Sequence, residues 1–197
     1  LYSSYHFKHP ELRAFSDYLR EIYAKVAYRI QTEPYCQEKP AVLRCGPIFR
    51  NIRGKLTEIR KQMDRGGRKI VLVTLGGLGF SPAFLDSLAQ YPEFLFVFIG
   101  EKSSSQSSAN IIMLGRDNDM FHPDLIDAVD IVVFKAGYST LAECFQCGKP
   151  SICIQRQGFA ESRVIEGYAQ KNLKSVLVSQ PAFINGDKTF HGLFLIA

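Results

Sequence analysis

Residues 130–161 read DIVVFKAGYSTLAECFQCGKPSICIQRQGFAE, and this stretch decides the fold. The apolar, β-branched run 131–134 is typical of a buried parallel strand. A turn containing Gly137 follows it, and apolar side chains at helical spacing then continue until a Gly-Lys-Pro sequence ends the helix. Because a second apolar run comes next, at 151–154, the stretch predicts one strand–helix–strand unit of a parallel sheet.

The same alternation surrounds this unit. Further apolar runs are typical of buried strands, at 70–75, 94–99, 110–114 and 173–178. We therefore predict an α/β fold, a Rossmann-like doubly wound sheet of about six parallel strands with covering helices, in a domain spanning 67–197. Residues 1–50 are predicted to be the end of an upstream domain, with a helix near their start that buries one face. Residues 51–66 are predicted as linker and first helix.

The turn after the strand at 131–134 carries residue types that bind anions. A helix N-terminus beside the carboxyl end of a parallel strand presents backbone N–H groups to a ligand. Gly137 would let a phosphate approach the backbone, while Ser139 and Thr140 can cap the helix or donate to phosphate oxygens. Glu143, one turn later, can accept from a ribose diol. The pattern indicates a nucleotide site, and ordinary helix capping with a favourable helix-dipole interaction is the alternative explanation.

The sequence KAGYSTLAE at 135–143 resembles the donor-binding signature of nucleotide-sugar glycosyltransferases with the double-Rossmann GT-B fold. In that family a His-x-Gly-aromatic-Asn-Ser-x-x-Glu segment holds the diphosphate and the ribose. The resemblance spans 72–172, and with the sequence HPDL at 122–125 it is closest to a branch that includes the glycosyltransferase-like domain of plant arabinose kinases. The family binds the donor sugar with an acidic residue and a Gln, which correspond to positions 161 and 162.

This chain departs from the family pattern at a few positions. Lys135 stands where the family has His, Ser139 where it has Asn, and Ser162 where Gln is usual. The loop before Ser162 is also longer. The resemblance implies that a set of residues binds the nucleotide sugar, namely Gly76, Gly77, Gly79, Met120, Lys135, Gly137, Tyr138, Ser139, Thr140, Glu143, Glu161 and Ser162.

Within this set, the resemblance implies distinct roles. The glycine-rich sequence 76–79 would lie against the donor phosphates and the acceptor, and a simple tight turn between strand and helix is the less favoured alternative. Met120 or Phe121 would provide an apolar wall for the base, and Glu161 with Ser162 would bind the sugar. The implied enzyme is an inverting glycosyltransferase that uses a nucleotide diphosphate sugar, foremost a UDP-sugar, and an acceptor that the sequence does not identify.

The catalytic base of such an enzyme is expected in the upstream domain, so no catalytic residue is named and the chain alone is predicted to bind donor without turnover. Two alternatives stay open. One is a nucleotide-sugar-binding module without transferase activity, and the other is a non-hydrolysing sugar epimerase of the same architecture. The chain starts with Leu and ends in apolar residues, so we expect a fragment of a longer protein.

Composition narrows the classes of partner. The 197 residues carry 24 Lys and Arg against 19 Asp and Glu, a net charge of +5 that agrees with a polyanionic ligand. A basic segment at 50–69 could bind RNA or an anionic membrane, but it lacks interleaved aromatics, so a solvated helix is favoured and no nucleic acid is predicted. Five cysteines indicate no disulfide framework, and the Cys144–Cys147 pair lies within a helix. We predict no metal, no cofactor, and a cytoplasmic location.

Overall fold

The computed structural model describes residues 5, 9–63, 66–76, 82–100, 109–115 and 118–184. In chain order the elements are α1 Leu12–Ala24, β1 Ile30–Thr32, β2 Leu43–Cys45, α2 Leu56–Met63, β3 Lys69–Thr74, α3 Pro82–Ser87, a 3₁₀ helix Leu88–Gln90, β4 Phe94–Gly100, β5 Ile111–Gly115, α4 His122–Ala128, β6 Ile131–Lys135, α5 Tyr138–Gln146, β7 Ser151–Ile154, α6 Ser162–Asn172, β8 Ser175–Val178 and α7 Gln180–Ile184.

Six strands form one wholly parallel sheet in the order β5-β4-β3-β6-β7-β8. This confirms the predicted strands and the fold class. The order reverses between β3 and β6, and such a reversal opens a crevice at the carboxyl ends of the strands. The turn that contains Gly137 follows β6 directly, so it lies at this crevice.

Alternate side chains of the central strands supply two separate hydrophobic cores. Ile70, Leu72, Val132 and Phe134 pack with α2, α4, α5 and α6 on one face of the sheet. Their neighbours in sequence point the other way and pack with Phe84, Leu88 and Phe183, from α3, the 3₁₀ helix and α7. Because both faces are covered, β6 is buried over its apolar length, which explains its unbroken apolar sequence.

The first 50 residues differ from this compact arrangement. Helix α1 has no buried residue, and its aromatic side chains are exposed, with Phe15 at 61%, Tyr18 at 62% and Tyr23 at 60%. The prediction that this helix buries a face is therefore wrong for the described structure. Strands β1 and β2 pair in parallel with each other and form a sheet of their own.

No helix in the described ranges has the length and apolarity needed to cross a membrane.

Candidate functional site

The start of α5 presents backbone donors to the crevice. Gly137 occupies the N-cap position, and no side chain caps this helix end. The first N–H groups of a helix have no intrahelical acceptor, and no side chain of the described residues caps those of α5. Ser139 is exposed and Thr140 half-buried at the second and third helical positions. The expectation that they cap the helix is wrong, and their role as phosphate donors stays a prediction.

Gly137 has no structural requirement for glycine among the described residues. Its φ of −161° is extended backbone that any residue adopts. A Cβ atom built there would meet only the carbonyl oxygen of Lys135, at 3.4 Å, which is an ordinary van der Waals distance. Within the described ranges, neither backbone conformation nor crowding explains the glycine, and no described atom other than the Lys135 carbonyl oxygen lies within 4 Å of the added Cβ.

Glu143 lies at the centre of a buried ionic cluster. Its side chain is 2% exposed, and its Oε1 accepts from Nε and Nη2 of Arg50 at 2.9 and 2.6 Å. Its Oε2 lies 2.7 Å from Nδ1 of His122. Both carboxylate oxygens are thus already bonded, and in this arrangement Glu143 is not open to a ribose. Its assignment to the ribose stays a prediction and requires Arg50 or His122 to give way.

The cluster also controls the ionisation of Glu143. Burial by itself would raise the pKa of this carboxyl, but the hydrogen bonds and charges of His122 and Arg50 outweigh burial and hold the pKa below its ordinary value. Glu143 is therefore a carboxylate at neutral pH. Leaving a buried carboxylate without a partner costs free energy, so a group that displaces Arg50 from Glu143 must itself donate hydrogen bonds.

The segment that carries Arg50 lies across the start of α4. The backbone N–H of Arg53 donates to Asp124 Oδ1 at 2.5 Å, and Asp124 is 1% exposed. The guanidinium groups of Arg53 and Arg50 lie 3.9 and 5.1 Å from the centre of the Phe121 ring. Phe121, a predicted base wall, is therefore already stacked against both arginines. Sequence reasoning missed this contact because no local pattern pairs residues so far apart.

A cleft of about 990 Å³ lies between residues 16–39 and the sheet domain. Tyr138 and Glu161 line it from the domain side, and α1, β1 and the following loop line the other side. Burial, the charge of Glu161 and contact with Cys36 raise the pKa of Tyr138, so its hydroxyl stays protonated. The structure thus brings together two of the predicted site residues, from the starts of α5 and α6.

Ser162 does not reach this cleft. It is 4% exposed, its hydroxyl accepts from the backbone N–H of Arg156 at 3.0 Å, and it donates to Glu166. The hydroxyl thus holds the loop before α6 in this arrangement, and the contact of Ser162 with a donor sugar stays a prediction. Glu161, the N-cap residue of the same helix, stays half-buried at the cleft.

The remaining predicted site residues are the glycines after β3 and Met120. Gly76 follows β3 with a φ of +55°, a left-handed conformation that by itself explains the glycine. Gly77 and Gly79 lie outside the described residues. Met120 is half-buried and packs on the core beside α4, and its backbone N–H donates to Asn118. Its role as a base wall stays a prediction.

Two basic side chains meet near the turn. Lys135 ends β6, and burial together with the positive charge of Arg156 lowers its pKa. Arg156 follows β7 and donates from Nη1 to the carbonyl oxygen of Ala136 at 3.3 Å. Within the described ranges, no group of three or more His, Cys, Asp or Glu side chains is placed to hold a metal ion.

No family model matches the chain. Among curated proteins it is similar to UDP-N-acetylglucosamine--N-acetylmuramyl-(pentapeptide) pyrophosphoryl-undecaprenol N-acetylglucosamine transferase 2 of Bacillus thuringiensis (strain Al Hakam) and transferase 1 of Bacillus anthracis. Each is 30% identical over 124 residues, 56% of this chain. The match covers only 32% of either relative, so the chain spans about a third of their length.

Solved structures share the fold. MurG of Acinetobacter baumannii superposes with a TM-score of 0.54 and 12% identity, covering 90% of this chain and 54% of that one. The glycotransferase of kitacinnamycin gives a TM-score of 0.51 and 15% identity, covering 68% of this chain and 36% of that one. These likenesses confirm the predicted fold. They do not test the closer resemblance to plant arabinose kinases.

Proposed function

The chain contains a domain with the GT-B glycosyltransferase fold, and from that premise we propose that it is the donor-binding part of a glycosyltransferase. The donor is a nucleotide diphosphate sugar, foremost a UDP-sugar, and the diphosphate binds at the turn between β6 and α5. The sequence similarity to curated N-acetylglucosamine transferases supports sugar transfer as the class of reaction.

The observation that carries this proposal is the combination of an uncapped helix and an unexplained glycine. Among the residues that the structure describes, none caps the N–H groups at the start of α5, and none occupies the space beside Gly137, although the backbone there would accept alanine. Helix N-termini in this position bind phosphates in parallel α/β proteins. A pyrophosphate at the turn would therefore meet donors that are otherwise unused.

The chemistry follows from where charge develops. When a sugar is transferred, the glycosidic bond to the nucleotide breaks and negative charge grows on the leaving diphosphate. Fixed N–H donors and a nearby cation stabilise that charge most where water is largely excluded. Lys135 is the nearest cation in the predicted set. An anion bound beside it would reverse the lowering of its pKa that burial and Arg156 cause.

We assign the base that deprotonates the acceptor to another domain of a longer protein. Exposed apolar side chains in residues 12–49 support this, because a helix with large aromatic groups in water needs a packing partner. The pair β1–β2 supports it too, since parallel sheets are normally larger and covered on both faces. The cleft lined by Tyr138 and Glu161 then lies between the two domains.

The proposal is tested by titrating a panel of UDP-, GDP-, ADP- and TDP-sugars into the full-length protein in a calorimeter. Saturable binding of at least one member is expected, with turnover once the correct acceptor is supplied. Binding of none of these nucleotide sugars would overturn the proposal. Binding without transfer to any acceptor would instead favour the binding module. Interconversion of free UDP-sugars would favour the epimerase.

A further inference from the structure

Arg156 lies near the candidate site, and packing of the fold alone does not account for its position. It lies just beyond the carboxyl end of β7, outside the family signature and outside the set of residues predicted from the sequence. Its guanidinium group nevertheless reaches back to the preceding strand, where Nη1 donates to the carbonyl oxygen of Ala136 at 3.3 Å. Ala136 immediately precedes Gly137, so the positive charge of Arg156 lies against the turn.

The guanidinium group is held in this position from a second side. It lies 3.9 Å from the centre of the Phe159 ring, over which it stacks. Stacking and a backbone acceptor occupy one face and one N–H of the five that an arginine offers. Arg156 also lines a cavity of about 560 Å³ at the ends of β7 and β8, so the group is accessible to a ligand from that side.

Arg156 has a second cation, Lys135, for a neighbour, and the carboxylate of Glu166 lines the same cavity without pairing with it. Strands β6 and β7 pair in parallel with Lys135 opposite Ile154, so Lys135 and Arg156 leave the sheet at the same edge. Within the described ranges, neither makes an ion pair with a carboxylate. Burial, and after it the positive charge of Arg156, lowers the pKa of Lys135, so the two cations are near enough to repel one another. A bound anion would offset the repulsion.

We propose that Arg156 is a donor-binding residue that contacts the phosphate farther from the nucleoside, together with Lys135 and the open N–H groups of α5. This inference rests on the proposed function. The predicted nucleoside contacts, Met120 and Glu143, gather at the start of α4, where Glu143 bonds His122. Arg156 approaches the same turn from β7, on the opposite side of β6, which is where a second phosphate would extend.

The test compares UDP with UMP, which lacks the second phosphate, by calorimetry on the wild-type chain and on Arg156→Ala. We expect Arg156→Ala to weaken UDP binding by about tenfold to a hundredfold, the loss usual for a hydrogen bond to a charged group, and to leave UMP binding within about twofold. Arg163→Ala is the matched control, because Arg163 is an exposed arginine lining the same cavity. It should change neither affinity by more than about twofold.

Arg156 also packs on Phe159, so Arg156→Ala could lose UDP binding by misfolding, and a second variant controls for this. Arg156→Gln keeps the aliphatic stem and a donor for Ala136 but removes the charge, and it should give the same selective loss. Unchanged UDP affinity in a folded variant, or an equal loss in Arg163→Ala, would overturn this inference while the proposed function stands. If the wild-type chain binds another nucleoside diphosphate in place of UDP, the comparison is made with that diphosphate and its monophosphate. Failure to bind UDP, GDP, ADP and TDP alike would instead remove the proposed function and this inference with it.

Discussion

Replacing Arg50 by alanine should destabilise the protein far more than the exposure of this arginine indicates. The side chain of Arg50 is 56% exposed, but it donates two hydrogen bonds to one oxygen of Glu143, whose side chain is 2% exposed. Without Arg50 the buried carboxylate keeps only His122 as a partner. The cost lies in the uncompensated carboxylate, not in the lost arginine.

The size of the effect follows from these contacts. A hydrogen bond to a charged group contributes about 1.5–3 kcal/mol, and we expect Arg50→Ala to cost about that much. Removing one partner of a fully buried ion pair costs about 3–5 kcal/mol, which is an upper limit because Arg50 is half-exposed. For a chain of 197 residues the melting temperature should fall by about 3–12 °C. Glu143→Gln should cost less, since Arg50 can return to water.

The effect should depend on pH in a defined direction. The pKa of Glu143 is held below its ordinary value of 4.5, so its contribution to stability is complete above that pH and disappears as pH falls through the folded pKa. Thermal unfolding monitored by circular dichroism at pH 7.5 and again between pH 5 and 3 measures this. The difference between wild type and Arg50→Ala should be largest at pH 7.5 and shrink in acid.

The matched control is Arg20→Ala, which breaks an exposed pair with Asp17, 68% and 47% exposed, and should change the free energy of unfolding by less than about 1 kcal/mol. Equal melting temperatures for Arg50→Ala and Arg20→Ala, or a difference that grows in acid, would refute the reasoning.

Two further substitutions test other parts of the structure. Ser162→Ala should lower the free energy of unfolding by about 1–3 kcal/mol, because the N–H of Arg156 and the carboxylate of Glu166 both lose a buried partner. A chemical denaturation midpoint equal to that of wild type would show that stability does not depend on this hydroxyl. Phe15→Ser should change the free energy of unfolding of the present chain by less than about 0.5 kcal/mol, because Phe15 is 61% exposed. The same substitution should destabilise a longer protein in which another domain covers α1. Equal small effects in both proteins would argue against that domain.

The sheet was predictable because its strands are buried on both faces. Residues 70–73 and 131–134 alternate between two cores, so every position is apolar and the runs stand out in the sequence. The turn at Gly137 was predictable for a related reason, since a parallel strand must end in a turn toward its helix. Local patterns therefore identified the strands and the position of the candidate site.

The contacts within the site were not predictable from local patterns. Arg50 and Glu143 are 93 residues apart, and Arg53 and Asp124 are 71 apart, and nothing in either segment specifies its partner. Asp124 carries a charge, and charged residues are usually exposed, yet it is 1% exposed and accepts from a backbone N–H. Ser162 stands where the resembled family usually has Gln, and its hydroxyl bonds two partners within the chain, the N–H of Arg156 and the carboxylate of Glu166.

Gly137→Ala tests most directly whether the diphosphate binds at the turn between β6 and α5, with UDP affinity and melting temperature measured on the same sample. The fold leaves room for the added methyl group, so the variant should be as stable as wild type or more stable by up to about 1 kcal/mol. UDP binding should nevertheless weaken by at least about tenfold, or about 1.4 kcal/mol, because the methyl group occupies the space a phosphate needs. A stable variant that binds UDP as tightly as wild type would contradict the account.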